Sequence, residues 1–358
     1  MKIAILSFYS GQVERGVESF THELAKRLAK NHSVYVFQNG SKKRTDKYRT
    51  ISSGLKVDWN KQYSNIRLAR VLFLDYWSVR VAFFTLKILN LLAKENFDII
   101  IPTNGGWQVG LIRILTWIKR KKMLIVGLAG NGWDDINNLW SFPDTFVAMS
   151  ERSKKWARKV NPLFLKVIVI PAGADLKLFN PSGKKARINL KPPIILAVGA
   201  AHKGKRLELA IRAVSKLKSA SLLILGTGPY KKKINKLGKK LLGNRFLLKS
   251  VSYEEIPEYY RAANIFTLPS WSYEAFGIVY LEAMASGIPV VATDDELRRE
   301  IVEDAGVLVD PTDSEAYAEA LEKTLTTNWG DKPRNQAEKF DWDKIVKKYE
   351  GLFHEILK

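Results

Sequence analysis

The chain has 358 residues, 46% of them apolar, enough for two domains with real cores. Its formal charge is +22, concentrated in residues 1–181, which carry 29 Lys and Arg against 13 Asp and Glu. Such a field favours phosphates, acidic lipid surfaces or nucleic acid as partners. The lack of cysteine excludes disulfides and thiolate metal sites and fits a reducing compartment.

In chain order, MKIAILSFYSG reads as a short strand rather than a signal peptide, because the apolar run is brief and Lys2 is its only basic residue. Further strand candidates are VYVFQ (34–38), DIIIP (98–102), MLIVGLAG (123–130), TFVAMS (145–150) and VIVIP (167–171), separated by helical patterns such as residues 17–30. The longest apolar stretch, Val71–Ala93, contains Asp75, Arg80 and Lys87. A membrane-spanning helix needs about 20 mostly uncharged residues, so no span is expected. Residues 180–193, rich in Pro, Gly and charge, read as an interdomain linker. The rhythm then restarts with IILAVG (194–199), SLLILG (221–226), RFLLKS (245–250), ANIFTLP (263–269) and GIPVVAT (287–293). The expected fold is α/β: two Rossmann-like, doubly wound parallel-sheet domains, 1–181 and 182–340, with an interdomain cleft. Residues 341–358 predict one amphipathic helix packing back on the first domain, with Asp341 as N-cap and Trp342, Ile345, Val346, Tyr349 and Leu352 as its apolar stripe. Capping and dipole compensation explain the Asp341–Trp342–Asp343 triplet better than a metal site does.

Residues 270–293 carry the densest signal. Glu274 and Glu282 lie eight positions apart, and the Phe276–Gly277 step between them opens an apolar helix. Carboxylates accept paired hydrogen bonds from vicinal hydroxyls. Backbone N–H groups at a helix start stabilise anions. Taken alone, the pair reads equally as two solvated helix glutamates.

The motifs VIPAGADLKLFNP (169–181), VGAAHKGKRLELAIRAV (198–214), LLILGTGPY (222–230), the Glu274–Glu282 segment and AGVLVDPTDSEAYAEAL (305–321) occur in one order. This series resembles the nucleotide-sugar domain of GT-B glycosyltransferases of the retaining family 4; the first half matches more loosely. The resemblance implies a hexosyltransferase using a UDP- or GDP-sugar donor, without metal or other cofactor, and a lipid-linked or glycan acceptor. It implies that Glu282 holds the ribose diol, that Glu274 contacts the transferred sugar, and that backbone N–H groups at Phe276, Gly277 and Ile278 face the phosphates. Lys205 falls at the position of a pyrophosphate lysine. Ala200 stands where the family has an arginine, so either Lys205 works with a substitute such as Lys203 or His202, or activity is reduced. Lys249–Val251 falls at the base-contact position, and Gly16 at the glycine loop facing the donor, where Arg15 replaces a glycine. For Gly16, as for Gly226–Pro229, a plain turn is an equally open reading.

Two first-half loops, Thr103–Trp107 and Gly130–Asp135, follow strand ends, where ligands of open α/β sheets bind. Asn104, Trp107, Asn131, Trp133 and Asp134 are therefore candidate acceptor or sugar contacts; packing for structure is the other reading. Basic and aromatic residues in 61–94 and 113–122 suit an anionic bilayer surface. They equally suit helices packed on a sheet with charged faces outward. The expected location is cytoplasmic and peripheral to the membrane, with oligomeric state open. Rival readings are a nucleotide-sugar epimerase or hydrolase of the same architecture, a glycosidase using the Glu pair, and a basic nucleic-acid-binding protein. The last has only net charge in its favour.

Overall fold

A strand buried on both faces reads as a continuous apolar run, and this is what separates the sheets of this protein from its helices. The computed structural model describes residues 1–358 except positions 14, 44, 62, 63, 65, 272 and 273. Its contacts divide the chain into two units, Met1–Ala172 with Trp342–Lys358, and Gly173–Asp341.

The first unit holds a seven-stranded sheet of β1 (Lys2–Leu6), β2 (Ser33–Gln38), β3 (Arg49–Ser52), β4 (Ile99–Pro102), β5 (Lys122–Val126), β6 (Thr145–Ala148) and β7 (Val167–Val169). All pairings are parallel, in the order β3-β2-β1-β4-β5-β6-β7. The edge strand β3 has no apolar run and is formed by pairing with β2, Tyr35 opposite Arg49. Its helices are α1 (Gly16–Leu28), α2 (Arg67–Val71), α3 (Tyr76–Lys94), α4 (Trp107–Lys119), α5 (Trp133–Trp140) and α6 (Glu151–Val160). The terminal helix Trp342–Leu357 buries Trp342, Ile345, Val346, Tyr349, Leu352 and Phe353. Its anchor is aromatic: the Phe20 ring of α1 lies 5.4 Å from Trp342 and 6.4 Å from Tyr349.

The second unit has six parallel strands, β8 (Ile194–Val198), β9 (Ser221–Leu225), β10 (Phe246–Lys249), β11 (Ile265–Leu268), β12 (Val290–Thr293) and β13 (Gly306–Val309), ordered β10-β9-β8-β11-β12-β13. Its helices are α7 (Leu207–Lys216), α8 (Lys231–Leu242), α9 (Ile256–Ala262), α10 (Ile278–Ala285), α11 (Glu296–Val302), α12 (Ser314–Thr326) and α13 (Lys332–Glu338). Residues 173–181 belong here, ahead of the Pro/Gly-rich linker that marks the boundary in the sequence. The physical reason is a set of local anchors. Phe179 packs edge-on against Tyr253 and Tyr260, and Arg334 donates to the carbonyls of Phe179 (3.0 Å) and Ala285 (2.7 Å). Both sheets are doubly wound, and strand order reverses between β1 and β4 and between β8 and β11. Loops leaving the C-terminal ends of those four strands border the crevice where such sheets bind ligands.

Candidate functional site

The second unit's crevice is built from the loop after β8 and the loop after β11. The first carries His202, a single 3-10 turn over Lys203–Lys205, and Arg206 in the left-handed region at φ +46°. The second runs from Pro269 to Gly277. Several backbone and side-chain bonds lock the two together. Trp271 N donates to Gly204 O (2.9 Å), and Arg206 Nε donates to Pro269 O (2.7 Å). Across this junction Lys205 Nζ is ion-paired with Glu274 Oε1. The other carboxylate oxygen, Oε2, lies 3.5 Å from Arg298 Nη2.

Arg298, on α11, is wholly buried. Its Nη1 pairs with Asp295 Oδ2 (2.5 Å), and its Nη2 donates to Ser270 Oγ (2.6 Å) and Trp271 O (3.0 Å). Its guanidinium stands over the Tyr280 ring, 5.8 Å from the centroid. Burial alone pushes the Glu274 carboxyl up. The Lys205 charge, hydrogen bonds from Lys205 and Ser270, and the Arg298 charge outweigh it and hold the group below its ordinary range. Glu274 is therefore a nearly buried carboxylate flanked by two cations.

Of the substitutes for the missing arginine at Ala200, His202 is pushed below its ordinary range by burial and then by Lys205. It is neutral at pH 7, and its Nδ1 accepts from Gly204 N (3.1 Å). Lys203 is exposed, its ammonium 5.6 Å from the centre of the Trp271 ring. The glycine loop after β9 backs this turn: Ala201 N donates to Thr227 O (2.9 Å), and a Cβ on Gly228 would stand 2.7 Å from Ala201 O. Its glycines serve close packing between loops.

Gly277 caps α10 at φ +90°, ψ +55°, without a side-chain cap on the helix. Tyr280 N–H donates to Gly277 O (3.0 Å), whereas the Ile278 and Val279 amides ahead of it carry no side-chain cap among the described residues, the arrangement an anion at a helix start uses. Phe276 is buried against Phe340, ring centres 6.0 Å apart. Glu282 lies in the second turn of α10, buried, accepting from Tyr260 OH on Oε2 (3.1 Å) and from Tyr253 OH on Oε1 (3.4 Å). The loop that carries Val251 leads directly into the turn holding Tyr253. A carboxylate already accepting two hydroxyls has the chemistry to accept a diol in their place.

In the first unit the candidates behave differently. Asn104 Oδ1 accepts from Phe8 N (2.8 Å), tying the loop after β4 to the loop after β1. Trp107 and Trp133 donate their indole N–H to Phe73 O (3.0 Å) and Val71 O (2.9 Å), so both pin the segment around α2 while leaving about half their surface exposed. Asn131 sits at φ +64°, and its amide donates to Asp135 Oδ2 (2.9 Å). Asp135, which the sequence does not single out, is buried at the start of α5, and burial pushes its carboxyl up to about 6. Asp134 beside it is exposed. Gly16 begins α1 with open space where a Cβ would stand, so no steric need for glycine is visible there. Arg15 is drawn back onto Glu18 (3.3 Å) and the Tyr9 ring (4.5 Å).

Arg298, Ser270, Tyr253 and Tyr260 line this candidate site without a sequence signal of their own: Arg298 stands in Glu-Leu-Arg-Arg-Glu and Tyr253 in Ser-Tyr-Glu-Glu, both polar strings.

The Glycosyltransferase Family 4 model matches residues 15–178, and the Glycosyl transferases group 1 model matches residues 180–340. The chain is 31% identical over 187 residues to a sulfoquinovosyl transferase of Arabidopsis thaliana, an alignment covering 48% of this chain and 36% of that protein. It is 30% identical over 216 residues to the D-inositol 3-phosphate glycosyltransferase of Corynebacterium jeikeium, covering 52% and 51%. The matched region thus spans about half or less of these curated relatives. Among solved structures, a sucrose-phosphate synthase from Thermosynechococcus elongatus superposes with a TM-score of 0.79 at 22% identity, over 99% of this chain and 98% of that one. Anabaena HepE in complex with UDP-glucose gives 0.77 at 18% identity, over 99% and 100%. At these identities the likeness is one of fold. With one family matched in each half, the chain belongs to the group 1 glycosyltransferases and has the GT-B fold.

Proposed function

We propose that this protein is a retaining glycosyltransferase that moves a hexose from a UDP- or GDP-sugar to a lipid-linked or glycan acceptor at a membrane face. The observation that carries the reading is the Lys205–Glu274 junction at the β8/β11 crevice, beside the uncapped start of α10. The bond from the sugar's anomeric carbon to the diphosphate breaks, and its electron pair goes to the departing phosphate oxygen. Lys205 and the α10 amides stabilise the charge that builds up there, which helps the transition state more than the ground state. The acceptor hydroxyl forms the new bond on the same face and gives its proton to the departing oxygen. Glu274 orients the sugar hydroxyls, and Glu282 accepts the ribose diol. The cations in this route are the protein's own, so turnover is expected to withstand EDTA.

Solved relatives carry UDP or UDP-glucose, and other relatives are named as GDP-mannose-dependent enzymes acting on phosphatidylinositol monomannoside. They support both nucleotides and a lipid acceptor as classes to test. The membrane reading rests on the first unit's surface. Trp107, Ile114, Trp117 and Ile118 form an exposed stripe along α4 at helical spacing, and exposed Ile66, Leu68, Leu72 and Leu74 surround α2 beside Arg67 and Arg70. Among the described residues no helix is long and apolar enough to cross a membrane. The test is a thermal-shift screen of UDP, GDP and their sugars, since a ligand that binds the native state raises the melting temperature by mass action. Each hit is then assayed for sugar transfer to lipid and glycan acceptors. Failure of every nucleotide to shift the melting temperature refutes the reading.

A further inference from the structure

Resting on the donor reading above, we propose that Arg298 is a positioning residue: the fixed counter-ion that lets Lys205 leave Glu274 for the donor diphosphate. In the structure the Lys205 ammonium is committed to Glu274. To stabilise a leaving diphosphate it must transfer at least part of that interaction. Glu274 is then a nearly buried carboxylate without its main partner. A buried carboxylate in that position takes up a proton rather than keep an uncompensated charge. A protonated Glu274 would give up one acceptor site and its charge, and present an O–H donor where the carboxylate only accepts.

Arg298 has the construction needed to prevent this. Arginine stays charged at any working pH, and its fork is planar and preorganised. Here the fork is immobilised by Asp295, Ser270 and the Trp271 carbonyl, with Tyr280 beneath it, so that Nη2 faces the Glu274 oxygen that Lys205 does not use. The two cations thus serve opposite oxygens of one carboxylate. Lys205, at the end of a flexible stem on a short turn, is the partner able to move; Arg298 is the one that cannot. The groups facing Glu274 are Lys205 and His202 from the β8 loop, Arg298 from α11, Tyr280 from α10, and Ser270 from its own loop. Of these His202 is the group whose ordinary value lies nearest neutrality, and burial followed by the Lys205 charge moves it lower.

A merely structural Arg298, stapling α11 to the β11 loop, would predict lost stability and no change in proton traffic. The experiment is therefore calorimetric titration of the full chain with UDP-glucose and with GDP-mannose, whose diphosphates carry no group titrating near neutrality. It is run at pH 7.5 in buffers of different ionisation enthalpy, on wild type, Arg298→Gln and Arg298→Lys, each also carrying His202→Asn to silence the histidine. Thermal melting establishes which variants are folded. Wild type is expected to take up about 0.2 proton or less on binding, and R298Q about 0.5 or more, with R298K between them. Turnover of R298Q should fall about tenfold or more with a smaller change in KM. Adding Glu274→Gln should abolish the extra uptake. A folded R298Q or R298K with wild-type proton uptake and wild-type turnover overturns the proposal. If wild type binds neither sugar nucleotide, the donor reading falls first and takes this one with it.

Discussion

Gly277→Ala tests whether the start of α10 is as tightly determined as the geometry says. Gly277 sits at φ +90°, ψ +55°, in the left-handed region, where an L side chain costs about 1–2 kcal/mol. The new Cβ would stand 2.7 Å from Tyr280 Cδ2 and 2.8 Å from Cε2. The ring has little room to yield: Tyr280 is fully buried, packs on Phe266 at 5.6 Å, and donates to Leu268 O at 2.6 Å. Overpacking of this kind adds about 1–3 kcal/mol. The sum, about 2–5 kcal/mol, should lower the melting temperature of the unit containing it by roughly 4–20 °C, at about 2–4 °C per kcal/mol for a unit of this size. Differential scanning calorimetry of the full chain reads it directly. Melting within about 2 °C of wild type would refute the argument, because neither the backbone penalty nor the Tyr280 contact could then be as described.

Lys205→Ala should lower kcat by about 10²–10³-fold, the usual loss on removing a group that stabilises transition-state charge, measured at saturating donor. Glu282→Ala should weaken UDP or GDP binding by about 10–100-fold, the value of hydrogen bonds to a charged group, with a smaller effect on turnover. For Asp135 the folded carboxyl titrates at about 6 against an ordinary 3.8, so the folded state binds the extra proton between those values. Stability therefore falls as pH rises through that window, by about 3 kcal/mol at most. Asp135→Asn should remove this slope, visible as denaturant midpoints that differ most from wild type above pH 7 and converge only below the unfolded value of 3.8. Paired Trp117→Glu and Ile118→Glu changes should abolish co-sedimentation with acidic vesicles without shifting the melting temperature; binding that persists would place the membrane contact elsewhere.

The fold was legible because its two signals are local. Central strands such as Ile194–Val198 and Ser221–Leu225 are apolar at nearly every position and wholly buried. What the pattern hides is strand formation by pairing alone. Arg49–Ser52 has no apolar run and depends on β2 for its existence. Residues 173–181 read as the tail of the first series because composition marks the Pro/Gly-rich stretch after them. Their placement is decided instead by contacts of Phe179 with aromatic residues more than seventy positions away.

The candidate site was legible only where a backbone position or a motif narrows the residue type. Gly277 announces itself because the turn before α10 needs a positive φ, and Glu274 and Lys205 because a motif brackets each. Arg298 does not. It stands beside Arg299 in Glu296–Val302, and nothing in the string Leu-Arg-Arg-Glu tells the two apart. Successive helix residues point about 100° apart, so one arginine enters the interior and meets Ser270, Trp271 and Glu274. Its neighbour stays largely exposed and pairs with Asp294 at 2.7 Å. The absent arginine at Ala200 makes this difference matter. With His202 neutral and Lys203 exposed over Trp271, the cations touching the Glu274 carboxylate among the described residues are Lys205 and Arg298. One of them sits on a turn leading from β8 and the other on a helix after β12. Only the folding of the sheet, with β8 and β12 on either side of β11, brings them to opposite oxygens of the same side chain.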